Sequence, residues 1–150
     1  MGGIPLRLER RSAGLKPVRY LLDTNAWLRL FQYPDEINAS VRAAVNAEQV
    51  LALSPFSLIE VAQKNARPGC PLNLRVPLEQ WFTLALPANR LRLLPITPGI
   101  AARAYELGPD FQGDPADRVI AATSLVHDLI LVTSDKKLLE NPGLHTLSTR

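Results

Sequence analysis

Four acidic residues in this sequence have the type and the placement that a metal site needs: Asp23, Glu60, Asp117 and Asp135. Carboxylate oxygens are hard ligands, and a site built from oxygens alone suits Mg²⁺ or Mn²⁺, which keep several waters and also bind substrate phosphates. A cation held in this way lowers the pKa of its water and neutralises charge on a phosphate. The chemistry predicted from these residues is therefore metal-assisted hydrolysis of a phosphate ester.

The acids can meet only if the predicted strands and helices bring them to one place. Asp23 and Asp135 come shortly after two apolar runs that read as buried strands. Glu60 lies in the helix after the second predicted strand, and Asp117 lies in the first turn of a later helix. Parallel α/β sheets bind ligands beyond the carboxyl ends of their strands. We therefore expect the four acids to converge at one end of a sheet.

Strands and helices are predicted to alternate along the chain. Near-continuous apolar runs, rather than alternating ones, favour a parallel sheet that is covered by helices on both faces. The predicted fold class is an α/β, three-layer α/β/α sandwich with a central parallel sheet. Its predicted strands are residues 18–22, 50–53, 91–96, 129–132 and 144–147, and its predicted helices are residues 26–31, 36–48, 55–64, 78–86, 98–107, 114–127 and 136–140.

Several of the acids also have a purely structural interpretation. Asp23 and Asp135 could each cap the helix that follows, because an aspartate before a helix accepts hydrogen bonds from its first amides. Asp114 precedes Pro115, so capping explains it fully. Asp117 suits the positive end of the helix dipole. Glu60 lies among apolar neighbours and is the hardest of the acids to explain by structure alone.

Charge and composition divide the chain into two parts. A length of 150 residues with 47% hydrophobic residues fits one globular domain, expected over residues 18–150. Residues 1–17 are expected to form a flexible basic tail. Residues 1–19 carry five basic groups and one acidic group, which leaves 12 basic and 13 acidic groups in residues 20–150. Binding of nucleic acid must therefore depend on the local placement of charge.

Other function classes lack their sequence signatures. No run of eighteen apolar residues and no secretory leader is present, so a cytoplasmic protein without a membrane segment is expected. The single cysteine, Cys70, rules out an internal disulfide. His127 and His145 are isolated and read as structural. No glycine-rich phosphate loop and no Gly-x-Ser-x-Gly motif occurs.

Four segments resemble, in order, the four acidic motifs of PIN domains: LLDTNAWLRL, SPFSLIEVAQK, GDPADRVIAAT and LVTSDKKLL. Their spacing across residues 20–147 is similar to that of the compact, VapC-like toxins of type II toxin–antitoxin systems. By motif position, the resemblance implies that the four acids named above are catalytic and metal-binding. It also implies contacts with the metal surroundings or the substrate for a further set of residues: Thr24, Asn25, Asp114, Arg118 and Ser134.

The resemblance carries expectations about function as well. It implies an endoribonuclease that depends on Mg²⁺ or Mn²⁺ and hydrolyses RNA phosphodiester bonds. It further implies a homodimer, and a cognate antitoxin protein that covers the acidic groove. Arg118, Lys136 and Lys137 flank the expected site and could hold RNA phosphates, although solvated helix ends are the commoner position for such side chains.

Other functions stay open at this point. A PIN domain can process RNA without being a toxin, or can bind RNA without cleaving it, although inert members usually lose acids and this chain keeps all four. An aspartate-based phosphatase would also place an aspartate after the first strand. That class needs a second aspartate two residues later, where this chain has Asn25.

Overall fold

A five-stranded parallel sheet forms the centre of the computed structural model, which describes residues 16–69 and 72–150. Cys70 and most of the predicted N-terminal tail lie outside the described residues. The strand order is β3-β2-β1-β4-β5, and all four neighbouring pairs are parallel. The strands are β1 (Tyr20–Leu22), β2 (Leu51–Leu53), β3 (Leu91–Leu93), β4 (Ile130–Thr133) and β5 (Thr146–Ser148).

The strand order creates a switch point beside β1. The chain runs outward from β1 through β2 to β3, and then crosses back to pair β4 with the other side of β1. Connections leaving neighbouring strands in opposite directions open a crevice at the carboxyl ends of those strands. The segments that follow β1 and β4 therefore begin at the edge of this crevice.

Seven α-helices surround the sheet in the described part of the chain. They are α1 (Thr24–Gln32), α2 (Ala39–Asn46), α3 (Pro55–Ala66), α4 (Leu78–Ala88), α5 (Pro98–Ala104), α6 (Pro115–Val126) and α7 (Lys136–Leu139). Six of them begin at a polar residue whose side chain accepts a hydrogen bond from a backbone amide in the first turn: Asp23, Asn38, Ser54, Thr97, Asp114 and Asp135. None of the described helices is long and apolar enough to cross a bilayer.

The sheet has an apolar layer on each face. Successive side chains of a strand point to opposite faces, so Leu22 packs in one core with Trp27 of α1, while Leu21 packs in the other with Ile120 of α6. The ring centroids of Trp27 and Trp81, from α4, lie 5.6 Å apart. The predicted three-layer α/β/α sandwich with a parallel sheet is confirmed.

Several predicted boundaries were wrong for local reasons. The helix predicted over residues 36–48 begins only at Ala39, because Pro34–Glu36 forms a separate 3₁₀ turn. The strand predicted over residues 91–96 ends at Leu93, shortly before Pro95, which has no amide proton to donate. The last strand is Thr146–Ser148 rather than residues 144–147.

Two further predicted boundaries also differ from those in the structure. The helix predicted to reach residue 107 ends at Ala104, and the chain then turns through Gly108, whose φ of +102° is readily adopted only by glycine. The first strand is three residues long rather than five, because its pairing with β4 begins only at Tyr20 and its pairing with β2 only at Leu21.

Candidate active site

Asp23 lies at the centre of the site, where β1 passes into α1. Its side chain is 7% exposed. One carboxylate oxygen, Oδ1, accepts a hydrogen bond of 2.6 Å from the amide of Ala26, and the other, Oδ2, accepts one from the hydroxyl of Thr133. The two hydrogen bonds fix the carboxylate between the start of α1 and the end of β4.

Thr133 connects Asp23 with Asp135. Its hydroxyl oxygen also accepts a hydrogen bond of 3.0 Å from the amide of Asp135. The carboxylate of Asp135 in turn accepts one of 2.8 Å from the amide of Lys137 and so caps α7. The resemblance pointed to Ser134, which is half-buried between these residues. The hydroxyl that holds the site together belongs to Thr133, and a fully buried threonine at the end of an apolar strand was the signal for it.

Glu60 is held against α1 by the hydroxyl group of Thr24, which is in turn hydrogen-bonded to Ser57. The hydroxyl of Thr24 is 2.5 Å from Oε1 of Glu60 and 2.9 Å from the hydroxyl of Ser57. A hydroxyl has one proton and a carboxylate only accepts, so Thr24 donates to Glu60 and receives a hydrogen bond from Ser57. Ser57 lies three residues before Glu60 and therefore on the same side of α3. Ser57 was not named from the sequence.

Asp117 approaches the site from α6. Asp114 is exposed and caps this helix, because its Oδ1 accepts a hydrogen bond of 2.8 Å from the amide of Asp117. Gly113 packs directly against Asp117. A Cβ atom placed on Gly113 would lie 2.9 Å from Cβ of Asp117 and 2.6 Å from the ring of Phe111. The absence of a side chain at Gly113 is what lets the preceding loop come this close.

Arg118 is engaged by the loop that precedes α6. Its guanidinium group donates hydrogen bonds to three backbone carbonyls, those of Ala104, Phe111 and Gly113. It also lies 5.0 Å from the ring centroid of Tyr105 and 5.4 Å from that of Phe111. In this arrangement Arg118 links the end of α5 to the loop that precedes α6.

Asn25 and the lysines of α7 occupy the rim. Asn25 is exposed, and its side-chain oxygen accepts a hydrogen bond of 2.6 Å from the ammonium of Lys64. Lys136 lies 3.6 Å from Glu140 in an exposed ion pair. Lys137 is exposed on the first turn of α7.

The acids influence one another's ionisation. Burial raises the pKa of Asp23; the hydrogen bonds from Thr133 and Ala26 lower it, and the negative charges of Glu60 and Asp135 raise it further. Burial is also the main reason why the pKa of Asp117 is raised to about 6, with added repulsion from Asp114, Asp135 and Glu60. The carboxylates therefore lie close enough to make their joint ionisation unfavourable.

The donor set fits a hard divalent cation. The two ion pairs of the described residues join Arg42 to Asp35 and Lys136 to Glu140, so neither neutralises the clustered acids. Across residues 16–69 and 72–150, no three acidic, histidine or cysteine side chains are already arranged to hold a metal ion. The four acids offer carboxylate oxygens only, which is the donor type that Mg²⁺ and Mn²⁺ prefer.

Several known proteins are similar to this chain in sequence, in fold or in both. The family model of the PIN domain matches residues 20–144. Ribonuclease VapC22 of Mycobacterium tuberculosis is 33% identical over 118 residues, which cover 79% of this chain and 88% of that ribonuclease. A DNA-bound VapBC structure from Salmonella typhimurium has a TM-score of 0.67 at 16% identity and covers 89% of this chain and all of its own matched chain. A toxin–antitoxin complex from Klebsiella pneumoniae has a TM-score of 0.64 at 24% identity, over 87% and 98% of the two chains.

The raised pKa of Asp117 predicts how stability depends on pH when no metal is bound. Because its pKa rises from 3.8 to about 6 on folding, the folded protein binds the proton more tightly than the unfolded chain does. This stabilising contribution is complete below pH 4 and is lost as the pH rises through 6. In EDTA, the free energy of unfolding of the wild type should therefore fall relative to that of Asp117→Asn between pH 4 and pH 7. A constant difference between the two proteins, measured by urea denaturation, would contradict this expectation.

Gly113→Ala tests the close approach to Asp117. The added methyl group must displace Phe111 or Asp117, and overpacking of this kind costs about 1–3 kcal/mol. Gly99→Ala is the matched control, because the nearest atom to its added Cβ is Thr97 Oγ1 at 3.8 Å and the position is helical. Thermal unfolding should show a lower midpoint for Gly113→Ala and an unchanged or higher one for Gly99→Ala. Equal midpoints for both variants would show that the loop adjusts freely.

Proposed function

The chain belongs to the PIN-domain family, and we propose that it is a metal-dependent endoribonuclease and the toxin of a toxin–antitoxin pair. The observation that carries the proposal is the set of mutually repelling acids, Asp23, Glu60, Asp117 and Asp135, around the carboxyl ends of β1 and β4. A cluster of carboxylates without a cationic partner is costly to maintain unless it binds something positive. A divalent cation and its bound phosphate meet that requirement.

RNA is the substrate that the family relationship favours. The relative that is 33% identical over 118 aligned residues is named a ribonuclease, and the match covers most of both chains. The site itself adds chemical support, because oxygen-only donor sets suit Mg²⁺ and Mn²⁺, the cations used for phosphoryl transfer. When bound, such a cation supplies an activated water and neutralises negative charge on the phosphate.

The four acids would hold the cation, and their neighbours would keep them in place. Thr133 orients Asp23 and the backbone of Asp135, and Thr24 orients Glu60. Asp23 also lies at the N-terminus of α1, where the helix dipole favours its charged form. These contacts pre-organise the carboxylates, so little rearrangement is needed when metal and RNA arrive.

A cognate antitoxin is the partner that we propose. The similar structures from Salmonella typhimurium and Klebsiella pneumoniae are described as a VapBC complex and a toxin–antitoxin complex. A basic side chain of the antitoxin could supply the positive charge that the acids lack. Several large apolar side chains are exposed and available to an antitoxin or to a second copy of the chain in a homodimer: Tyr33, Ile59, Leu84, Tyr105 and Val126.

Replacing Asp23 or Asp117 by Asn should abolish cleavage of RNA. Loss of one ligand misplaces the cation or weakens its binding, and the expected fall in the cleavage rate is at least about tenfold. The matched control is Asp128→Asn, an exposed position at the other end of the sheet with a φ of +51° that asparagine tolerates.

The measurement is the rate of degradation of total RNA in Mn²⁺, with EDTA as the metal-free reference. Circular dichroism checks that each variant is folded. Wild-type and Asp128→Asn proteins should cleave in Mn²⁺ and stop in EDTA. Cleavage by Asp117→Asn at the wild-type rate would remove that acid from the mechanism, and cleavage that persists in EDTA would refute the metal requirement.

A further inference from the structure

We propose that Lys64 binds a phosphate of the RNA that neighbours the one being cleaved, with Asn25 holding the ammonium group at the rim of the acidic cluster. The inference rests on the proposed ribonuclease function. It gives α3 two functional side chains. Glu60 would bind the metal, and Lys64, one turn later, would bind RNA; the sequence analysis gave Lys64 no role.

The geometry places the ammonium group beside the acids. Lys64 follows Glu60 by four residues, so the two side chains lie on the same side of α3. Side chains of a helix lean toward its N-terminus, which directs Lys64 back toward the level of Glu60. Its Nζ donates a hydrogen bond of 2.6 Å to the side chain of Asn25, which lies two residues after Asp23. The ammonium group therefore connects the two helices that carry Glu60 and the cap residue Asp23.

The charge of Lys64 is available to a ligand. Asn25 is a neutral partner, so the ammonium keeps its full charge and has further N–H donors. Lys137 of α7 is also exposed at the rim, whereas two other cations near the site are engaged by other groups. Arg118 donates to three carbonyls, and Lys136 is paired with Glu140. A cation at this position would offset the repulsion between the acidic cluster and the phosphates that flank the scissile bond.

A purely structural role explains less of this arrangement. A lysine in the last turn of a helix interacts favourably with the helix dipole, but that interaction does not require a contact with α1. A link between α1 and α3 could equally be made by a neutral side chain. The two roles predict different results. A contact with a phosphate makes RNA binding more dependent on salt, whereas a structural link between α1 and α3 makes the folded protein more stable.

The experiment measures binding of a fluorescently labelled, random-sequence single-stranded RNA in EDTA, where metal-dependent cleavage is stopped. Wild type, Lys64→Gln, Lys64→Arg and Arg103→Gln are compared by fluorescence anisotropy between 50 and 200 mM KCl. Arg103 is exposed in the last turn of α5 and controls for the loss of one positive charge elsewhere. Each phosphate contact with a single strand contributes about 0.7 to the slope of log K against log salt.

Lys64→Gln should bind roughly tenfold more weakly at 50 mM salt, with the slope shallower by about 0.7. Lys64→Arg should keep the wild-type affinity and the wild-type salt slope. The melting temperature should stay at the wild-type value in all variants. An unchanged slope for Lys64→Gln, an equal loss in Arg103→Gln, or no binding by the wild type at 50 mM salt would overturn the inference. Cleavage of total RNA by the wild type in Mn²⁺ is measured in parallel. If the wild type cleaves and one of these outcomes occurs, only the role of Lys64 fails; if it does not cleave, the proposed function fails.

Discussion

The buried carboxylate of Asp23 is the constraint on which the rest of the site depends. A carboxylate that is 7% exposed loses most of its hydration, and the charges of Glu60 and Asp135 oppose its ionisation further. The protein offsets this with the hydroxyl of Thr133, the amide of Ala26 and the N-terminus of α1. These contacts stabilise the charged form of Asp23, but the repulsion from Glu60 and Asp135 remains. The folded chain therefore keeps a local deficit of positive charge, which a cation can fill.

Helix capping and the proposed metal-binding role are compatible with each other at Asp23 and Asp135. Asp23, Asp114 and Asp135 all cap helices, as their structural interpretation from the sequence held. The helices capped by Asp23 and Asp135 begin where β1 and β4 end, at the crevice, so these two capping side chains lie at that edge. Capping uses one oxygen of Asp135, Oδ1, which leaves the other outside that hydrogen bond. An aspartate at such a position thus stabilises the fold and, in the proposed role, would also supply an oxygen donor to the cation.

The sequence was sufficient for the layers of the fold because apolar runs and capping residues are local signals. It could not identify the contact of Thr133 with Asp23, because that contact joins residues 110 positions apart in the chain. The engagement of Arg118 with three carbonyls was equally hidden, since it depends on the path of the loop before α6. The metal role of the four acids still rests on motif position together with their mutual repulsion.

Binding of Mn²⁺ to the folded protein tests the central claim most directly. A ligand that binds only the folded state adds RT ln(1 + [L]/Kd), which is roughly 2.7 kcal/mol at a hundredfold excess over Kd. Mn²⁺ should therefore raise the melting temperature of the wild type at pH 7 and lose this effect near pH 4, where protons occupy the acids. The double variant Asp23→Asn, Asp117→Asn should not respond at either pH. Equal stabilisation of the wild type and the double variant would place the cation elsewhere and contradict the account.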